Sequence, residues 1–71
     1  MKMVYDPHTD TLTITFRKAR IAESDELKPD VIFDFDEQGG VVGLEILDAS
    51  RHIAEPDKVD FRKLAEQLAK R

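Results

Sequence analysis

Between Val31 and Leu47 the chain reads VIFDFDEQGGVVGLEIL, two alternating apolar runs either side of an acidic, glycine-bearing turn. Val31, Phe33 and Phe35 alternate with Ile32 and Asp34, and Val42, Leu44 and Ile46 alternate with Val41, Gly43, Glu45 and Leu47, a period of two that belongs to strands. An antiparallel hairpin must put both apolar sets on one face. Pairing Phe35 with Val42, Phe33 with Leu44 and Val31 with Ile46 does so and leaves Glu37 to Gly40 as the loop, with Gly39 and Gly40 supplying its positive φ values. The opposite face then carries Ile32, Asp34, Gly43 and Glu45 and is expected to be wet.

The chain opens with the same grammar. Met1, Met3 and Tyr5 alternate with Lys2 and Val4, and Leu12, Ile14 and Phe16 alternate with Thr11, Thr13 and Thr15. Aligning Tyr5 with Leu12, Met3 with Ile14 and Met1 with Phe16 leaves Pro7 to Asp10 as a turn in which Asp6 accepts from the turn's own amides. The two hairpins match at an offset of about thirty residues, which equal loop lengths explain without an internal repeat. Between them, Arg17 to Asp30 is polar and broken by Pro29, with Ile21 to Leu27 as an extended edge segment. Arg17, Lys18 and Arg20 read as a solvated strand end that discourages edge pairing.

After Leu47, Asp48 to His52 reads as a short helical turn. Asp57 is placed to cap a last helix over 57–70, in which Phe61, Leu64, Ala65 and Leu68 fall at i, i+3, i+4 and i+7 on one face. The predicted fold is α+β: one domain over 1–71, with a small antiparallel, meander-like sheet of at least four strands in 1–53. The C-terminal helix is expected to pack on the apolar face. One helix cannot cover four strands, so a homodimer is expected, joined through the helix or a sheet edge.

Charge narrows the function. Residues 1–57 hold six Lys/Arg against thirteen Asp/Glu, −7, whereas residues 58–71 hold five against two, +3. An acidic body argues against nucleic acid, and the basic tail complements the C-terminal end of a helix dipole. With no cysteine there is no disulfide, thiolate metal site or cysteine nucleophile. No apolar run approaches the roughly 20 residues of a membrane span, and MKMVYDPH lacks a signal-peptide core, so a cytoplasmic protein is the default expectation.

The sharpest ligand motif lies in the central hairpin. Asp34, Asp36, Gln38, Gly39, Val41 and Glu45 occupy positions 1, 3, 5, 6, 8 and 12 of an EF-hand-like spacing, making Asp34, Asp36 and Glu45 candidate Ca²⁺ ligands. Gln38 is a long neutral substitute, however, and the flanks read as strands, so a solvated turn is the plainer reading. His8 and His52 with Asp6 or Asp10 have no zinc-ligand spacing, and Ser24 and Ser50 lack a nucleophile-elbow context. No catalytic residue and no cofactor is implied. The polar sheet face formed by Thr11, Thr13, Thr15, Ile32, Asp34 and Glu45 is the candidate interaction surface.

Three local patterns resemble a family of small bacterial and archaeal proteins known as domain of unknown function 2283. They are Tyr5-Asp6-Pro7 with Asp10-Thr11-Leu12-Thr13-Ile14, then Ile32 to Glu37, then Val42-Gly43-Leu44-Glu45-Ile46-Leu47-Asp48-Ala49-Ser50. The resemblance covers about residues 3–53. Gln38-Gly39-Gly40 departs from the family's usual Asp-Gly followed by a basic or polar residue, and the segment after Pro56 lies outside it. The resemblance implies the fold and supplies no catalytic residue. Members look like small standalone proteins, sometimes encoded beside small toxin-like ones, which implies a non-enzymatic, antitoxin-like partner role.

Overall fold

The structure, a computed structural model, describes residues 1–60 and Arg62. Five strands, β1 (Lys2–Asp6), β2 (Thr11–Thr15), β3 (Glu23–Lys28), β4 (Val31–Phe35) and β5 (Val41–Ile46), form one antiparallel sheet in the order β1-β2-β5-β4-β3. A short helix α1 (Ala49–His52) and a 3₁₀ turn at Pro56–Lys58 follow. The protein is α+β, as the alternation predicts. The expected helix face of Phe61, Leu64, Ala65 and Leu68 lies outside the described residues. Asp57 stands inside the 3₁₀ turn, whose first residue Pro56 has no N–H to be capped, and Glu55 rather than Asp57 precedes it.

Cross-strand register follows the apolar alternation. Met3 faces Ile14 and Tyr5 faces Leu12 across β1 and β2, while Val31 faces Ile46 and Phe33 faces Leu44 across β4 and β5. Chain order then demands a non-local join, met by β2 pairing with β5 so that Leu12 faces Ile46 and Ile14 faces Leu44. The apolar face so formed, here the front, holds Leu12, Ile14, Leu44 and Ile46, sealed by Ala49 and Ile53 from the α1 segment. Met3, Tyr5, Phe16, Phe33 and Val59 pack around them, half-buried.

Four expectations need correction. Met1 does not join the first hairpin: the ladder ends at Lys2 with Thr15, Met1 is 70% exposed, and the Phe16 N–H donates instead to the Val42 carbonyl. Phe35 pairs with Val41, not Val42. The turn closes over three residues, with Asp36 N–H bonded to Gly40 O at 2.9 Å, Gly39 N–H to Asp36 O at 3.0 Å and Gly39 at φ 83°. That is a three-residue hairpin loop closed by a left-handed glycine. A bulge at this end of the ladder absorbs the slip, so Val42 is buried and Leu44 and Ile46 keep their inward register. The two hairpin loops therefore differ in length. The third concerns only bounds: the expected edge segment is present as a strand, running Glu23–Lys28 rather than Ile21 to Leu27, paired with β4 through a tight turn at Pro29 and Asp30. Finally, Arg17 does not guard a strand end. It lies on the connection from β2 to β3 and pairs with Asp36.

Gly43 faces Thr15 where β5 runs close against β2. A Cβ there would run into the Ile14 carbonyl oxygen and stand 3.2 Å from the Thr15 Cα, both parts of a backbone that cannot swing aside. Gly43→Ala is expected to cost about 1–3 kcal/mol through forced separation of the two central strands. Denaturant unfolding would read this as a lowered midpoint, and an unchanged midpoint would contradict the close approach.

Candidate functional site

The ends of β4 and β5 and the first turn meet at one end of the sheet, and three aspartates there take left-handed backbone conformations: Asp10 (φ 54°), Asp30 (φ 67°) and Asp48 (φ 48°). Aspartate is among the few residues with a side chain that adopt this conformation readily. Asp10 closes the first turn and faces the start of α1. Its carboxylate accepts the Tyr5 hydroxyl at 2.7 Å and the Ser50 hydroxyl at 2.6 Å, and takes the Ser50 N–H at 3.1 Å. Its carbonyl accepts the Ala49 N–H at 2.8 Å. Asp10 thus caps α1 from another hairpin, since Asp48 makes no side-chain cap bond. Asp30 does comparable work at the neighbouring turn, its carbonyl taking the Leu47 N–H at 2.8 Å and its carboxylate meeting His52 Nε2 at 3.0 Å.

The electrostatics suit a clasp better than a reactive centre. Hydrogen bonds from Ser50, then Tyr5, hold the Asp10 carboxyl below its ordinary 3.8, and the same bond holds the Tyr5 hydroxyl above its ordinary 10.0. A carboxylate so stabilised is a poor proton acceptor for the Ser50 hydroxyl. His8 sits in the exposed first turn, where its backbone N–H donates to the Asp6 carboxylate at 2.9 Å.

The central hairpin separates the proposed Ca²⁺ ligands. Asp36 is committed to its own loop: its carboxylate pairs with Arg17 and accepts the N–H groups of Gln38 at 3.0 Å and Gly40 at 2.8 Å. Those contacts, Arg17 foremost, lower its pKa below the ordinary 3.8. Asp34 and Glu45 do meet, on the back face. Asp34 is only 4% exposed, opposite the side-chain-free Gly43, and accepts the Ser24 hydroxyl at 2.7 Å. The expected wet face therefore has a buried carboxylate at its centre. Burial and the adjoining Asp34 push the Glu45 carboxyl above its ordinary 4.5. Among the described residues, no group of three or more His, Asp or Glu side chains converges as a metal site.

The remaining interaction candidates share the back face. Strand register sets Thr13 beside Glu45 and Glu45 beside Ile32 in one cross-strand row, with Thr15, Gly43, Asp34 and Ser24 in the next. Thr11 lies a row further towards the clasp, its hydroxyl bonded to the Thr9 carbonyl at 3.3 Å. Nothing in β3 alternates to mark Ser24 as a partner for Asp34, and the Asp10–Ser50 bond spans forty residues, beyond any local pattern. Concavities among the described residues add to this surface. One, about 140 Å³, is lined by Met3, Tyr5, Leu12, Pro56, Asp57 and Val59, smaller than ordinary ligand pockets. Another is an open hollow of about 340 Å³ beside Arg17, Arg20 and the Asp36 loop.

A family profile described as "Protein of unknown function (DUF2283)" matches residues 2–50, the span that holds the sheet and reaches Ser50 of the clasp. An uncharacterised protein of Methanocaldococcus jannaschii is 40% identical over 63 residues, covering 89% of this chain and 53% of that protein. The chain therefore spans about half the length of the curated relative it matches. No solved structure matches it.

The carboxylates set a two-sided pH dependence. Asp10 and Asp36, lowered in the fold, contribute stability that is complete above the ordinary carboxylate range and lost as pH falls through their lowered values. Glu45, raised in the fold, contributes stability that is complete below its ordinary 4.5 and lost as pH rises through its raised value. Glu45→Gln is expected to raise Tm at neutral pH, with the gain fading on acidification, whereas Asp10→Asn is expected to flatten the acid limb. Thermal melts across pH check both, and a Glu45→Gln chain less stable than its parent at neutral pH would contradict the assigned repulsion.

Proposed function

Starting from the fact that this chain belongs to the DUF2283 family of proteins of unknown function, we propose that it is a non-enzymatic protein-interaction module, homodimeric and antitoxin-like, that takes a small co-encoded protein as its partner. The observation that carries this reading is the uneven use of the two sheet faces. The described residues after β5 turn onto the front, where Ala49, Ile53 and Val59 join the core. The back remains a broad face built from threonines, Ile32 and the Asp34–Glu45 pair.

Several features support binding over catalysis. Asp10, Tyr5, Ser50, Asp30, His52 and Asp36 all spend their polar groups on contacts that hold turns together. The back face, by contrast, offers alternating hydroxyls and a half-buried isoleucine on rigid strands, a setting suited to a flat protein partner. No helix among the described residues is long and apolar enough to cross a membrane.

The test is calorimetry of the chain against the product of its neighbouring gene. Binding at micromolar concentration is expected, and Ile32→Lys should abolish it while leaving the chain folded, at a cost of about 1 kcal/mol for a half-buried strand position. A neighbour product that does not bind, or that binds Ile32→Lys equally well, overturns the reading.

A further inference from the structure

We propose that β1 is a self-association edge, through which two copies of the chain pair antiparallel about a two-fold axis at Val4 and fuse their sheets. This rests on the homodimeric part of the reading above and names the surface and register responsible.

The two edges of the sheet are unlike. β3 carries Glu23, Asp25 and Glu26 and a register shift between Glu26 and Lys28, features that turn a second copy away. The β1 ladder is regular from Lys2 to Asp6, and Val4, on its back side, is 47% exposed. The 3₁₀ turn approaches β1 beside Met3 and Tyr5, on the front.

The sequence of β1, Lys-Met-Val-Tyr-Asp, is complementary to itself when read backwards. Directly opposite residues in an antiparallel pair share a face. With the axis at Val4, Lys2 of each copy meets Asp6 of the other, Met3 meets Tyr5, and Val4 meets Val4. Each front-face residue thus meets a front-face residue, and each back-face residue a back-face one. The charges at the two ends are opposite. Lys2 makes no ion pair among the described residues, and Asp6 uses only its Oδ1, for the His8 N–H. Sliding the axis to Met3 sets Lys2 against Val4 and leaves both charges without a mate. Sliding it to Tyr5 brings Pro7, which has no N–H, into the ladder against Met3. An axis between residues sets front-face side chains against back-face ones. The register centred on Val4 alone aligns faces and charges together.

Sedimentation equilibrium of the chain and its charge variants tests this. The parent is expected to show a concentration-dependent monomer–dimer equilibrium. Lys2→Asp creates two like-charged pairs per dimer and should weaken association about tenfold. Asp6→Lys should do the same, and mixing the two variants should restore a heterodimer, because each charge then meets its opposite. Should Asp6→Lys disturb the first turn, a second measurement stands apart from it. The chain has no native cysteine, so Val4→Cys should cross-link rapidly to its own copy under oxidation and Leu27→Cys should not. A monomeric parent, a Lys2→Asp chain as dimeric as its parent, a mixture of folded variants that stays monomeric, or equal cross-linking from both cysteines each overturns the proposal. A chain that binds its neighbour's product as a monomer overturns the edge pairing and leaves partner binding intact. Ile32→Lys, remote from β1, should lose the partner and keep the dimer.

Discussion

The pairing of β2 with β5 is the contact on which the sheet depends. Every other neighbouring pair of strands is a hairpin, closed by a local turn at modest entropic cost. β2 and β5 lie about thirty residues apart, and their ladder joins the β1–β2 hairpin to the β3–β4–β5 meander. It contributes the largest fully buried side chains among the described residues: Leu12, Ile14 and Ile46 are almost wholly removed from water. Gly43 is the geometric condition for that closeness, because a side chain there would meet backbone on the facing strand. The clasp around Asp10 fastens the same join at one end, tying the first turn to the segment that follows β5.

Much of this was legible in the residues. Alternation alone yields the registers Met3 with Ile14, Tyr5 with Leu12, Phe33 with Leu44 and Val31 with Ile46, because a one-residue slip would turn each apolar set into water. What escaped had no period to betray it. All six residues of β3 are exposed, so nothing in Glu23–Lys28 had to alternate. The bulge at Val42 follows from a turn held by the Asp36 carboxylate, whose reach to Arg17, Gln38 and Gly40 is a matter of three-dimensional placement. The buried Asp34 is met by a hydroxyl from a strand that composition did not announce, in a register where it faces Gly43.

The candidate site shows the same division. The polar back face was readable as a surface, with Thr11, Thr13, Thr15, Ile32 and Glu45 where alternation placed them. The EF-hand-like spacing was readable too, yet spacing along a chain means something different on strands than on a loop between helices. Asp34 and Glu45 share the back face because of strand parity, while Asp36 belongs to the turn. Residues from the separate local motifs work together in the fold: Tyr5, Asp10 and Ser50 form one hydrogen-bonded unit, and Gly43 permits one close approach.

The three left-handed aspartates carry a consequence for how such a sequence drifts over evolutionary time. All pay the same backbone cost, so glycine or asparagine would relieve or match the strain at each position, and β-branched residues would be purged from all three. Their side chains nevertheless divide them. Asp48 makes no cap bond, so glycine there sacrifices little. At Asp10 and Asp30 glycine would ease the backbone and forfeit the contacts to Ser50, Tyr5 and His52. Lineages should therefore wander between aspartate, asparagine and glycine at position 48, while an acidic side chain persists at 10 and 30, three positions of one conformation governed by two different selective pressures.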